Sequence, residues 1–335
     1  MLRSLAVRSV LVSTLALVLP GLAWAGEPPP PEPGDLLGST GQAGGSLIDI
    51  DPVNGAGTLR APLGSLGPVT EIEFRADGVL FGTTGQGTSN VITIDPTTGA
   101  ETLVGQHDFG ATNGLEFVGN TLYGSYFAAG IPPAAGVPIY SLVIVDQTDG
   151  SLTTIGPMDE YFPIRGLAYD EATATMYGIG VPLSQPPPPL AGEPEGLSDV
   201  LFTIDLTTAA TTEVGPTGFF LGSLEFGPDG TLYGGGAEGG GGLTEGLPAG
   251  ASGWSSHEER ETVGGSAPLV TIDTATGAGT AVGPTGFPAI SGLSFVPPAE
   301  QGGPSVLEIP SLSGVGLFVL AALLAAAGLL AVRRG

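Results

Sequence analysis

The sequence has no cysteine, no lysine and few positive charges. The absence of Cys from its 335 residues excludes disulfides, thiol nucleophiles and Cys-ligated metals, and the absence of Lys excludes Schiff-base chemistry. Eight Arg face 33 Asp and Glu, and four of the Arg lie in two terminal segments that contain no acid. The region between those segments is strongly acidic and repels a phosphate backbone, which excludes nucleic-acid binding.

Familiar enzyme motifs and helix-favouring composition are also lacking. There is no G-x-S-x-G, H-E-x-x-H or G-x-x-x-x-G-K-[ST] pattern, so the sequence does not point to a hydrolase, metalloprotease or nucleotide-binding enzyme. The 58 Gly and 31 Pro would break the helices of a bundle. The mean hydropathy of +0.32 argues against a disordered chain. These properties favour a folded, turn-rich β protein.

The N-terminal segment has the pattern of an export signal. Arg3 and Arg8 precede an apolar run over residues 9–20, and Ala23-Trp24-Ala25 follows. Small residues at this spacing are typical of a signal peptidase site, so residues 1–25 are predicted to be a signal helix, cleaved between Ala25 and Gly26. A retained anchor is less favoured because the apolar run is too short to span about 30 Å of hydrocarbon. A Pro-rich linker is predicted over residues 26–34.

The C-terminal segment is long and uncharged. The 24 residues from Ile309 to Val332 carry no charge, and Arg333 and Arg334 follow them. This length is sufficient for a transmembrane helix, and the terminal Arg pair favours a cytoplasmic C-terminus, which leaves the acidic body outside. Residues 300–308 are predicted to be a linker before this tail, which covers residues 309–335.

The tail also resembles the IPTL-CTERM sorting signal of exported bacterial proteins. Ile309, Pro310 and Leu312 match the family's Ile-Pro-Thr-Leu motif, and Ser311 stands where the family has Thr. The resemblance implies recognition by an exosortase-like membrane enzyme, with removal of the tail as one outcome. A plain membrane anchor is the alternative.

The middle of the chain is built from a repeated pair of hairpins. One hairpin recurs four times, with a degenerate fifth copy: NVITIDPTTGAETLVG, SLVIVDQTDGSLTTIG, VLFTIDLTTAATTEVG, PLVTIDTATGAGTAVG and SLIDIDPVNGAGTL. A second hairpin, such as GLEFVGNTLYG, lies between the copies. Alternating apolar residues and D-x-x-T-G turns predict antiparallel strands.

The two ends of the repeat region complete one another. The last unit, GLSF near Gly292, lacks its second strand, whereas the residues 35–39 resemble that strand and lack a first one. A repeat closed in this way predicts a ring. We therefore expect an all-β, five-bladed β-propeller of four-stranded antiparallel blades over residues 35–299, with a six-bladed ring as the alternative. The strand pattern resembles the NHL and YVTN types of secreted propeller repeat.

The innermost strand of each blade carries the sharpest candidate site. Its residue between two apolar positions is, in blades one to five, Glu73, Glu116, Ala168, Glu225 and Ser294. The fold would bring three carboxylates together near the central channel. Such a cluster suits a hard cation such as Ca²⁺ or a pair of acids that share a proton. A polar channel wall or inter-blade hydrogen bonding is the simpler alternative.

Other candidates are less specific. The hairpin Asp residues, among which Asp146 and Asp149 suggest a calcium loop, are interpreted as turn residues; they are Asp51, Asp95, Asp146, Asp205 and Asp273. Two His, His107 and His257, lack a third ligand at fixed spacing. Three aromatic residues predicted to lie in insertions are candidates for ligand contact: Tyr126, Phe127 and Trp254.

These features together predict an exported bacterial protein of the cell envelope, the outer surface or the extracellular matrix. The propeller would act as a binding module for a surface polysaccharide or protein, because insertions concentrated on one rim of a rigid scaffold favour binding. The alternatives are a channel-centred glycan hydrolase or lyase and a purely structural surface component.

Overall fold

The protein is described by a computed structural model. It describes residues 28–41, 44–85, 89–107, 110–128, 140–158, 160–183, 198–237 and 266–298, without the side chains of 107, 162 and 163. The predicted signal segment and sorting tail lie outside the described residues. Within those ranges, the structure contains no helix with the length and apolarity needed to cross a membrane.

The described residues form twenty strands in five four-stranded antiparallel sheets. Blade one contains β4 (Val69–Phe74), β5 (Leu80–Thr84), β6 (Ser89–Ile94) and β7 (Glu101–His107). Blade two contains β8 (Ala111–Val118), β9 (Thr121–Phe127), β10 (Tyr140–Val145) and β11 (Leu152–Pro157). Blade three contains β12 (Tyr161–Asp170), β13 (Thr175–Pro182), β14 (Val200–Ile204) and β15 (Thr211–Pro216). Blade four contains β16 (Leu221–Phe226), β17 (Leu232–Gly236), β18 (Pro268–Ile272) and β19 (Gly279–Pro284).

Blade five joins the two ends of the repeat region. It contains β20 (Gly292–Phe295), β1 (Leu36–Ser39), β2 (Ser46–Ile50) and β3 (Gly57–Pro62). Strand β1 pairs antiparallel with β20, and Leu37 lies opposite Ser294. The innermost strands β4, β8, β12, β16 and β20 each pack against the next around a closed ring. The predicted five-bladed propeller, including its closure by the N-terminal strand, is confirmed.

The hydrophobic core lies between the blades. Five clusters of buried apolar side chains each join two neighbouring blades. Aromatic residues recur in these contacts: Phe81 of blade one packs edge-on against Phe117 of blade two, with ring centroids 5.7 Å apart. Tyr233 of blade four meets Phe295 of blade five in a similar way. The repeated E-F and L-Y-G segments therefore encode inter-blade packing as well as strands.

Glycine is required where a hairpin turn packs on the preceding blade. In blade one, Gly99 has φ +71°, and a Cβ added there would lie 2.5 Å from the carbonyl oxygen of Pro62 and 2.8 Å from the Ala61 Cβ. The same contact recurs at all five blade junctions, and at least one member of each pair is Gly: Ala61/Gly99, Gly105/Gly150, Gly156/Ala209, Gly215/Gly277 and Gly283/Gly55. The repeated V-G ends of the outer strands thus bring the blades into backbone contact.

Candidate functional site

Three carboxylates meet at the centre of the ring. Side chains alternate along a strand, so Ile72 and Phe74 enter the core between blades five and one while Glu73 between them lies on the opposite face of β4. Glu116 of β8 and Glu225 of β16 hold the equivalent positions. One carboxylate oxygen from each of the three lies within 4.8 Å of the other two. The juxtaposition expected from the sequence is therefore present.

The three acids are almost completely removed from solvent. Glu73 is 6% exposed, and Glu116 and Glu225 are each 7% exposed. Burial, followed by the negative charges of Glu225 and Glu116, raises the pKa of Glu73 well above its ordinary value of 4.5. Burial and the charge of Glu225 do the same to the pKa of Glu116, and burial raises the pKa of Glu225 to about 8. The site therefore favours protons or a cation over three free negative charges.

In the part of the chain that the structure describes, no Arg forms an ion pair with the three acids. Among the described residues, the ion pairs are Arg60–Asp49, Arg75–Asp77 and Arg165–Asp199, none of which includes a member of the cluster. The Arg165–Asp199 pair is itself buried. Its Arg also donates from Nε to the carbonyl oxygen of Leu221, and its guanidinium lies over the Phe220 ring. The pair thus joins blades three and four without neutralising the cluster.

The acidic position also takes part in the blade junctions. Glu225 Oε1 accepts a hydrogen bond of 2.9 Å from the backbone N–H of Phe295 in blade five. Ser294, at the equivalent place in blade five, accepts one of 2.9 Å through Oγ from the N–H of Phe74 in blade one. Glu116 of blade two likewise accepts a hydrogen bond from the backbone of Tyr169 in the next blade, blade three. Inter-blade hydrogen bonding, the simpler alternative from the sequence, and an acidic cluster therefore coexist at this position.

A fourth carboxylate, Glu71, was not found by the sequence reasoning. It lies two residues before Glu73 on β4, on the same face of the strand, and is 1% exposed. Its Oε1 accepts a 3.3 Å hydrogen bond from the N–H of Leu293, whereas its buried Oε2 has no hydrogen-bond partner among the described residues. Burial, followed by opposing hydrogen-bond and charge effects, leaves the pKa of Glu71 well above its ordinary value. The signal was the paired Glu in T-E-I-E-F, which occurs in blade one alone.

The geometry of the cluster suits a calcium ion. Two oxygens held by one Ca²⁺ at about 2.3–2.6 Å are at most about 5 Å apart, and the ion takes 6–8 oxygen ligands from carboxylates, carbonyls and water. The 4.8 Å limit on the separations of the three oxygens agrees with this distance. Glu71, whose buried Oε2 has no hydrogen-bond partner among the described residues, lies on the same strand face as Glu73 but is not one of the three acids whose oxygens converge. Glu73, Glu116 and Glu225 could therefore hold one ion.

The Asp side chains of the outer hairpins accept hydrogen bonds from backbone N–H groups within their own turns. Asp95 Oδ1 accepts hydrogen bonds from the backbone N–H groups of Thr97 and Thr98 at 2.8 and 3.0 Å. Asp146 accepts from the Thr148 N–H at 2.8 Å, and Asp205 and Asp273 are bonded alike. The interpretation of these residues as turn-forming Asp is confirmed.

The aromatic candidates are placed differently from the expectation. Tyr126 and Phe127 belong to β9, where they lie opposite Ser141 and Tyr140 of β10, so their placement in an insertion is wrong. Strand β9 extends this far because the Phe127 ring stacks on that of Tyr140, with centroids 5.1 Å apart. Phe127 is 2% exposed and forms part of the core between blades two and three. Ligand contact by the half-buried Tyr126 stays a prediction.

Several predicted features lie outside the described residues. They are Trp254, His257, the Ala25–Gly26 cleavage site and the sorting motif Ile309, Pro310, Ser311 and Leu312. His107 is the last residue of β7, and its side chain is not among those described. The roles assigned to these residues stay predictions.

No protein-family model matches the chain, and no curated protein matches it. Solved structures are similar to it at low identity. A chain of the nidogen/laminin complex is 11% identical, covering 78% of this chain and 98% of its own length, with a TM-score of 0.45. A protein of unknown function from Bacteroides caccae is 13% identical, and the match covers 79% of this chain and 99% of that chain, with a TM-score of 0.41. The gluconolactonase XC5397 from Xanthomonas campestris is 13% identical, and the match covers 76% of this chain and 77% of that chain, also with a TM-score of 0.41.

These neighbours differ in function, and none is close enough to assign one to this chain. The class of the protein follows from its own strand order: it is a five-bladed β-propeller closed by pairing of its first and last strands. Its particular feature is the buried acidic cluster at the centre of the ring.

Proposed function

We propose that the protein is an exported propeller of the bacterial cell envelope that acts as a surface-binding module and holds one Ca²⁺ at its centre. The observation that carries the calcium site is the meeting of Glu73, Glu116 and Glu225, with an oxygen of each within 4.8 Å of the others. Their burial would oppose folding unless the charge is neutralised. A bound ion would neutralise it and tie blades one, two and four together.

The geometry disfavours the glycan hydrolase or lyase. Glycosidases separate their two carboxyl groups by about 5–9.5 Å to accommodate a sugar and a water molecule, whereas these oxygens are closer together. The three side chains are also at most 7% exposed, which disfavours contact with a polymer. The cluster fits a structural ion better than a catalytic pair.

The surface-binding role is supported by where the longer connections leave the ring. The segments 129–139, 184–197 and 238–265 each join the second and third strands of a blade, so all three leave from the same rim. A rigid scaffold that carries its long connections on one rim is typical of binding proteins. The proposed ligands are a surface polysaccharide or a protein.

Export and sorting are proposed on the terminal segments alone. A mature chain isolated from the cell envelope should begin at Gly26, and an exosortase-like enzyme should act on the tail that contains Ile309–Leu312. Mass spectrometry of the purified envelope protein measures both ends directly. An N-terminus at Met1 would contradict the signal peptide, and a chain found in the cytoplasm would contradict the envelope assignment.

Thermal melting with and without calcium tests the proposed ion site. At pH 8.5 and a calcium concentration about 100-fold above Kd, binding should stabilise the fold by about 2.7 kcal/mol. That corresponds to a rise in Tm of roughly 5–10 °C relative to EDTA. The double variant Glu73→Gln/Glu116→Gln should lose this rise because two of its three ligands are neutral.

The matched control is Glu213→Gln, which changes an exposed acid on the outer strand β15. It should keep the full calcium-dependent rise. An equal rise in the double variant would place the calcium elsewhere and overturn the site, and no rise in the unchanged protein would overturn calcium binding itself.

A further inference from the structure

Each blade ends in an outer strand that, among the residues the structure describes, pairs along one edge only. In all five sheets the last strand, β3, β7, β11, β15 or β19, pairs with a single neighbour. The opposite edge presents backbone N–H and C=O groups that can pair with another extended chain. Such edges either bind a partner or need protection.

Four of the five outer strands carry a Pro at the same place. These are Pro62, Pro157, Pro216 and Pro284. The residue after each donates its N–H inward: Met158 bonds the Tyr140 carbonyl at 2.9 Å, and Thr217 bonds the Asp199 carbonyl at 2.8 Å. Because successive N–H groups point to opposite edges of a strand, the Pro nitrogen faces the open edge. There it removes a donor and blocks pairing.

Strand β7 of blade one differs at this place. Gln106 lies opposite Asn90, just as Pro157 lies opposite Ser141 in blade two. Its backbone N–H therefore points to the open edge, and the residue is exposed. Of the five outer strands, all of which the structure describes, β7 is the one without Pro. It is also the longest of them, with seven residues.

The side chains around this edge are apolar and acidic. Leu103 in the middle of β7 is 51% exposed. Strand β7 carries neither Arg nor Lys, and its one acid, Glu101, accepts hydrogen bonds from Gly64, Ser65 and Leu66, so the acids left to attract a partner are those of the next blade's turn. The neighbouring turn of blade two, which contains Asp146 and Asp149, packs against Gly105. The edge therefore combines backbone groups that pair with no other described strand, an exposed apolar side chain and nearby acids, along a strand that carries a bulge at Val104.

We infer that the edge of β7 over Glu101–Gln106 is a docking site for an extended, positively charged peptide segment of a partner protein. The segment adds as a fifth strand to blade one. Backbone hydrogen bonds hold it, Leu103 receives one of its apolar side chains, and the acidic surface attracts its basic ones. A second copy of this chain fits less well, because each copy carries a net charge of −25.

Fluorescence anisotropy with a labelled heptapeptide of alternating Lys and Val tests the site. The full chain in about 0.15 M salt, where long-range attraction is screened, should bind this peptide at one saturable site. Gln106→Pro should weaken binding at least tenfold and leave Tm unchanged, because four other blades already hold Pro at this position. Leu103→Glu should weaken it as well.

The controls separate strand addition from adsorption to an acidic surface. A Lys/Val heptapeptide with a central Pro and a heptapeptide of alternating Glu and Val should not bind. Unchanged binding to the Gln106→Pro variant, equal binding of the Pro-containing peptide, or no binding to the unchanged chain would each overturn the inference. Sedimentation that shows a dimer which Gln106→Pro converts to a monomer would assign the edge to a second copy and overturn the peptide partner.

Discussion

Glu225 accepts a 2.9 Å hydrogen bond from the backbone N–H of Phe295, across the boundary between blades four and five. The carboxylate thus belongs to the acidic cluster and to the joint between two blades. Glu116 also belongs to both, because its carboxylate accepts a hydrogen bond from the backbone of Tyr169 in blade three. The acids at the centre are therefore expected to affect stability in two separable ways, through a hydrogen bond and through charge.

Substitution of Glu225 separates these two contributions. Glu225→Gln keeps an oxygen that can accept the Phe295 N–H and removes one charge, so it should be neutral or stabilising in EDTA. Glu225→Ala leaves that partly buried N–H without its partner and should cost about 1–3 kcal/mol. Urea unfolding in EDTA measures both. A Gln variant as unstable as the Ala variant would show that the hydrogen bond is not the source of the loss.

The stability of the metal-free protein should fall as the pH rises. Burial raises the pKa of Glu225 to about 8 and raises those of Glu71, Glu73 and Glu116 above 4.5, so the folded state holds protons that the unfolded state has released. The contribution of these four acids to stability is then full below about pH 4.5 and is lost as the pH rises towards 8. Melting in EDTA across this window should show the decline, and Ca²⁺ should reduce it. A flat profile in EDTA would contradict the raised pKa values.

The blade junctions can be tested at a pair of turn glycines in blade one. Gly99 and Gly78 both have positive φ, but a Cβ on Gly99 meets the Pro62 carbonyl at 2.5 Å, whereas one on Gly78 meets nothing within 4 Å. Gly78→Ala should cost about 1–2 kcal/mol from backbone conformation alone. Gly99→Ala should cost about 1–3 kcal/mol more from overpacking. Equal losses in denaturant unfolding would show that the junction accommodates the methyl group.

The Arg165–Asp199 ion pair of blade three, which bonds Leu221 of blade four, gives a further prediction. Asp199 is fully buried. Its Oδ1 accepts a hydrogen bond from Arg165 Nη2, and its Oδ2 accepts one of 2.6 Å from the Leu221 N–H. Asp199→Ala leaves the Arg165 charge without its partner and should cost about 3–5 kcal/mol. The double variant Asp199→Ala/Arg165→Met should recover part of that loss. No recovery in chemical denaturation would indicate that Asp199 acts mainly through Leu221.

Much of the fold could be predicted because each sequence repeat corresponds to one structural unit. Strand alternation, turn residues and the incomplete final unit together favoured five blades over six and indicated the pairing of β1 with β20. The acidic cluster could be predicted for the same reason, since equivalent positions of a ring converge on its axis. Features that break the repeat could not be predicted in this way. Glu71 has no counterpart in other blades, and Arg165 meets Asp199 across a long connection.

The extension of β9 shows the same limit. Tyr126 and Phe127 follow the repeated L-Y-G segment and looked like the start of an insertion. The strand continues because Phe127 finds a stacking partner, Tyr140, that is 13 residues away in sequence. Local pattern could not reveal a strand end that is set by a tertiary contact.

The most direct test of the account is anomalous diffraction from crystals of the protein grown with Ca²⁺ at pH 8.5. The account predicts one anomalous peak on the ring axis, about 2.3–2.6 Å from a carboxylate oxygen of each of Glu73, Glu116 and Glu225. Carboxyl groups hydrogen-bonded to one another, with no anomalous peak between them, would contradict it.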